Sequence, residues 1–94
     1  MSQSLLTGYP NVCRICGSSY MVERHHIYYG HANRKLSEKY GCFCYLCAYH
    51  HRGDGGVHFN RELDLKLKRQ CQRAWMAKYG TEEDFRKVFG KSYL

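Results

Sequence analysis

The sequence has one proline (Pro10), one tryptophan (Trp75) and few acids, with 8 Asp and Glu against 15 Lys and Arg and a formal net charge of +7. It has no apolar run approaching the roughly 20 residues that cross a bilayer, and no secretory apolar segment. Internal repeats and low-complexity tracts are absent too, so nothing marks a linker or a second domain. The expectation is one cytoplasmic domain over residues 1–94. In such a setting paired cysteines read as metal ligands before disulfides. A chain this short builds a small core and often needs a metal, a disulfide or a partner copy to close it. The shortage of acid points to a polyanionic partner, most often nucleic acid; plain solubility is the alternative.

Cysteine and histidine are plentiful, at six each, as are aromatics, with nine Tyr and four Phe beside the tryptophan. Cys13-Arg14-Ile15-Cys16-Gly17 has the form of a zinc knuckle: two thiolates with two residues between them reach one tetrahedral ion, and the glycine permits the turn beneath. Cys47-Ala48-Tyr49-His50 repeats the gap. Together Cys13, Cys16, Cys47 and His50 form a Cys3His set for a structural zinc. Rival sets would use Cys42 or Cys44, but these alternate with Phe43 and Tyr45 in an apolar run, where a small buried cysteine is ordinary. His25, His26, His51 and His58 are then left over. His31, in a polar stretch, reads as solvated.

The order of elements indicates an α+β fold. Residues 1–11 read as a flexible lead-in, 12–60 as the metal-bearing core and 61–94 as C-terminal helices. A strand is expected over Ser18–Ile27, with Tyr20 and Val22 on one face and His25 and His26 at its end. Tyr28–Lys35 reads as a loop, Ser37–Gly41 as one helical turn closed by glycine, and Cys42–Cys47 as a second strand. Arg52–Gly56 reads as a flexible turn. Asn60 caps a helix running to about Tyr79, whose core stripe is Leu63, Leu67, Cys71, Ala74 and Trp75. Lys66, Lys68, Arg69, Arg73 and Lys78 occupy its other face, solvated or touching DNA. Thr81 caps a last helix that buries Phe85, Val88 and Phe89 and ends at Gly90. Tyr93 and Leu94 should pack back.

The series Cys-x2-Cys, His25-His26-Ile27, Leu46-Cys47-x2-His50-His51 and then His58 resembles the HNH (ββα-metal) endonuclease family. It is most similar to a small phage-type subgroup like the Ref-like nucleases. The stretches Gly30–Lys35, Ser37–Gly41, Gly56–Asn60 and Gly90–Leu94 add to that likeness, whose core spans Cys13 to His58. The resemblance implies a two-stranded hairpin and a helix around one divalent ion, with a structural zinc at the base, in a phage or prophage protein. It also implies His25 as metal ligand, His26 as general base, His51 as a further ligand and His58 as the last. The gap from His51 to His58 exceeds a helical turn. Either the helix is interrupted there or His58 acts from behind the ligands. His50 and His51 could also exchange roles. Glu23 matches an acid that would orient His25. One departure stands out: the family's central asparagine falls on Cys42, which cannot make the same hydrogen bonds. Asn33 or backbone groups would have to pin the loop instead.

The activity so implied is metal-dependent hydrolysis of DNA phosphodiester bonds. His26 would take the proton of water, and the ion would steady charge on the phosphate and the leaving oxygen. The catalytic ion would be Zn, Ni, Co, Mn or Mg, and imidazole ligands suit Zn, Ni or Co better than Mg. Arg24, Asn33, Arg34, Lys35, Lys39 and Arg52 are the candidate DNA contacts, positioning without reading sequence. A protein partner such as a recombinase or a packaging enzyme is compatible with this reading. The alternative is a non-catalytic, zinc-stapled nucleic-acid-binding module; a protein-binding zinc domain is less consistent with the charge.

Overall fold

The computed structural model describes residues 4–6, 11–54 and 56–94. It shows a small α+β fold. Strand β1 (Val22–His26) pairs antiparallel with β2 (Phe43–Cys47), with His25 opposite Cys44 and His26 opposite Phe43. Helix α1 (His31–Tyr40) lies between the strands, and α2 (Ala48–His51), α3 (Arg61–Lys78) and α4 (Glu82–Phe89) follow. A two-stranded ribbon is marginal by itself in water, so these helices must supply most of the core.

β1 is shorter than the sequence suggests. Met21 is left-handed at φ 49°, which ends the extended run before it starts, and Tyr20 is exposed. Both histidines of the pair lie within β1, so strand alternation sends them to opposite faces.

The expected loop at 31–35 is a correction: the chain is helical from His31 to Tyr40, capped by left-handed Gly41. Polar residues hid it, because its only buried side chain is Ser37. The Ser37 hydroxyl donates to the Tyr28 carbonyl (2.6 Å) and accepts from the Tyr28 N–H (3.1 Å). The chain just after the histidine pair is therefore fastened to α1. The Cys42 carbonyl accepts from the Ile27 N–H (2.9 Å) and secures the same segment from β2.

Tyr28 is the hub of the core. Its ring meets Phe85, Phe89 and Tyr93 at centroid distances of 5.2, 4.6 and 5.4 Å, and its hydroxyl donates to the Lys68 carbonyl. α3 buries Leu67, Cys71 and Trp75 towards it. The Asn60 side chain caps α3 by accepting from the Leu63 N–H. Thr81 and Asp84 close a reciprocal capping box on α4. Two parts of α3's basic face are not solvated: Lys68 pairs with buried Asp64 (2.8 Å), and Arg69 donates to the Tyr93 carbonyl. Gln72 holds the tail by accepting from the Tyr93 N–H and donating to Ser92. Leu94, expected to pack back, is half exposed.

Within the supposed flexible lead-in, Leu5 and Leu6 pack on the core, the Leu5 N–H donates to Gly41, and the Ser4 hydroxyl donates to Phe43. Residues 1–3 and 7–10 of that lead-in, Pro10 included, lie outside the described residues.

The stretch after α2 is a close contact. A Cβ at Gly56 would sit 2.9 Å from the backbone of His50 and His51, and one at Gly53 would sit 2.8 Å from the Tyr49 carbonyl oxygen. These glycines let the chain fold back onto α2 and bring His58 round to His51. Gly56→Ala should therefore cost on the order of 1–3 kcal/mol, as overpacking against an unyielding neighbour does. Urea unfolding of the zinc-loaded protein beside wild type measures it.

Candidate functional site

Two sets of side chains that could hold a metal ion form, and α2 contributes to both, His50 to one and His51 to the other. The first is Cys13, Cys16, Cys47 and His50, whose ligand atoms all lie within 4.8 Å of one another. Tetrahedral zinc with ordinary bond lengths separates two sulfurs by about 3.8 Å and a sulfur from a nitrogen by about 3.6 Å. Cys16 and Cys47 sulfurs are 3.8 Å apart, and His50 Nδ1 lies 3.7 Å from Cys13 and 3.3 Å from Cys47. The four residues fit a zinc ion.

The local fold explains this closeness. The Cys13 N–H donates to the Ser18 carbonyl and Gly17 turns with φ 77°, closing the knuckle loop. The Arg14 N–H donates to the Tyr45 carbonyl and docks that loop on β2. Burial alone would raise the Cys13 thiol, but backbone N–H groups at Cys47, Cys16 and Ile15 bring it down to about 6. Cys16 is helped by a hydrogen bond from the Ser18 backbone, yet burial and the neighbouring sulfurs of Cys13 and Cys47 leave it raised. Sulfurs this close repel as thiolates unless a cation sits between them. Cys42 and Cys44 stay out of the set. Both are buried, and contact with Cys71 and burial drive Cys42 far upward, while burial takes Cys44 to about 12.

The second set is His25, His51 and His58, again with ligand atoms within 4.8 Å. His25 is 2% exposed, and its Nε2 has no hydrogen-bond partner among the described residues. A buried imidazole nitrogen left bare is costly, and here it shares a site with two more imidazoles. His51 and His58 rings lie 5.1 and 5.6 Å from the His25 ring. Burial first, then charge at His51, His58 and His26, pushes His25 down to about 3, so the ring stays neutral and able to ligate.

Glu23 does not orient His25. It accepts from His51 Nδ1 (2.8 Å) and pairs with Arg52 (2.7 Å); the His51 bond first, with Arg52 behind it, holds the carboxyl below its usual range. A carboxylate at Nδ1 leaves Nε2 as the nitrogen with a free lone pair.

A cleft of about 1010 Å³ opens over the three histidines. His26, Tyr29, His31, Arg24, Arg34, Lys35 and Glu38 also line it. Arg34 and Lys35 have no ion-pair partner among the described residues, so their charge is available to an anion. The other candidate DNA contacts are placed differently. Arg24 is engaged by Glu38 and Tyr45, and Arg52 by Glu23. Lys39 points to Tyr40, and the Asn33 amide donates to the Phe89 carbonyl. Asn33 does not pin the segment after His26; the Ser37 hydroxyl and the backbone carbonyl of Cys42 do, while the Cys42 side chain takes no part. Glu38 is the site residue that sequence reasoning missed. It accepts from His26 Nε2 at 2.7 Å, and its only signal was a lone acid in an otherwise basic stretch.

No protein-family model, curated protein or solved structure matches the chain.

Elemental analysis after mild dialysis in zinc and a second divalent metal should give two ions per chain for wild type and one for His25→Ala. A count of one for wild type would show that only the cysteine set binds. The pH dependence is also fixed in sign. Between about 6.5 and about 3 the unfolded chain binds a proton at His25 that the folded chain refuses. Folding stability therefore falls as pH falls through that window, by at most about 1.4 kcal/mol per unit from this residue. Denaturant titrations at pH 6 and pH 5 should give a shallower loss for His25→Gln than for wild type.

Proposed function

We propose that the protein is a metal-dependent DNA endonuclease of the HNH (ββα-metal) kind. The observation that carries the reading is the bare, buried Nε2 of His25. It sits with His51 and His58 at the foot of a basic cleft, with His26 alongside. A site of neutral imidazoles leaves a divalent cation its full charge, and that charge would steady the scissile phosphate and the leaving oxygen. His26 takes the proton from water. Arg34 and Lys35 draw in the phosphate backbone on either side, a contact that gives affinity without sequence information. His51 is held in its ligating tautomer by Glu23. The Cys3His set keeps α2, and hence His51, at the end of the hairpin.

A second reading has its own observation. Cys42, at the place of the family's asparagine, is packed against Cys71 and reaches nothing in the cleft. A zinc-stapled domain that binds nucleic acid without cutting it would tolerate that cysteine. The spare histidine cluster favours the nuclease, since binding alone has no use for it.

Supercoiled-plasmid nicking decides between them. Wild type and His26→Ala, both checked for folding and zinc, are metal-stripped and then supplied with Mg, Mn, Co, Ni or Zn separately. Nicking should return in wild type and fall by roughly 10²-fold or more in the variant, the scale of a lost general base. If neither cuts plasmid, single-stranded or branched DNA while both retard DNA in a gel, the binding module is correct.

A further inference from the structure

β1 alternation places Arg24 and His26 on one face and Glu23 and His25 on the other. The second face leads to the three-histidine set. The first meets α1, and one α1 side chain, Glu38, engages both of its residues.

Glu38 uses its two oxygens separately. Oε2 accepts from His26 Nε2 at 2.7 Å, and Oε1 accepts from Arg24 Nη1. Arg24 is fixed in turn: its Nη2 donates to the Tyr45 hydroxyl (3.0 Å), and its guanidinium lies 4.1 Å from the Phe43 ring centroid. Phe43 also meets the His26 ring edge-on at 6.4 Å. The position of Glu38 is not left to a flexible loop, because its neighbour Ser37 is buried and bonded twice to Tyr28, two residues beyond His26. A ring bounded on one side by an aromatic and tied at one nitrogen has little rotational freedom.

We propose that Glu38 is a positioning residue for His26. A carboxylate only accepts, so the nitrogen it faces must carry the proton. Glu38 thereby fixes neutral His26 as the Nε2–H tautomer and leaves Nδ1 as the proton acceptor. The inference rests on the nuclease reading for its kinetics but not for its tautomer. In the step it serves, a water O–H bond breaks and the proton goes to His26 Nδ1. The water oxygen keeps the electron pair and bonds to phosphorus. The phosphorus–oxygen bond to the leaving strand breaks with its pair, and that oxygen is protonated from solvent. Arg24 offsets the charge that Glu38 brings beside a polyanion, so the carboxylate does not repel the DNA.

Two measurements on the full, zinc-loaded chain test this. Long-range proton–nitrogen NMR of histidine-labelled protein at pH 8 reads the tautomer of His26 whether or not the protein cuts DNA. Wild type and Glu38→Gln, which keeps an acceptor oxygen, should show a proton on Nε2, and Glu38→Ala a mixture of tautomers. A proton on Nδ1 in wild type overturns the proposal. In plasmid nicking, Glu38→Ala should lower kcat roughly 10–100-fold with KM no higher than wild type, as loss of orientation does. Glu38→Gln should recover part of that loss. If Glu38→Ala cuts as fast as wild type, Glu38 positions nothing; if it cuts faster, Glu38 covers the reacting nitrogen, and the proposal is equally wrong. If wild type cuts no DNA with any metal, the nuclease reading fails, and the NMR result alone decides the tautomer.

Discussion

His50 and His51 are neighbours that serve different metal sets, and the remainder of the site depends on that division. On a helix successive side chains are about 100° apart. The short α2 turns His50 towards Cys13 and Cys47, and His51 towards His25. β2 ends at Cys47, so strand, ligand and helix start meet at one junction. A hairpin with five paired positions would not keep α2 in place by itself. Four side chains from two segments more than thirty residues apart would do so around an ion, and glycines at 53 and 56 fold the chain back to add His58.

The C-terminal helices act on the site indirectly. α3 and α4 build an aromatic socket for Tyr28, and Tyr28 directly follows the His25-His26-Ile27 stretch. The strand end that carries His25 and His26 is thus anchored in the aromatic core, while His58 and the cationic side chains of α1 remain accessible. Rigidity lies behind the imidazoles and exposure in front of them, as the proposed nuclease site would require.

Much of this was legible in the sequence, for reasons that differ by element. The Cys3His cluster could be read because the spacing within each pair is short-range and suits tetrahedral geometry. α3 and α4 could be read because periodic apolar residues, Asn60, Thr81 and Gly90 mark their faces and ends. α1 could not, since its core face is short: Ser37 is its one buried side chain, and Leu36 and Tyr40 beside it are only partly buried. The partners of Glu23 and Glu38 were also hidden. They are set by strand pairing and by the docking of α1, which join residues 12 to 29 positions apart. Sequence placed Glu23 near the right histidine pair, and alternation puts it on the His25 face, but the α2 junction brings His51 and Arg52 to its carboxylate. Asn33 shows the same limit: a side chain suited to pinning the segment after His26 is drawn instead to the end of α4.

The shared backbone of His50 and His51 also links the two sets unequally. An ion in the Cys3His set would fix the orientation of α2, and with it the point at which His51 and His58 converge on His25. An ion in the histidine set would make no such demand on the fold, because its ligands lie at the floor of an open cleft. The topology of the chain thus ranks the two sets, one tied to the scaffold and the other open to exchange.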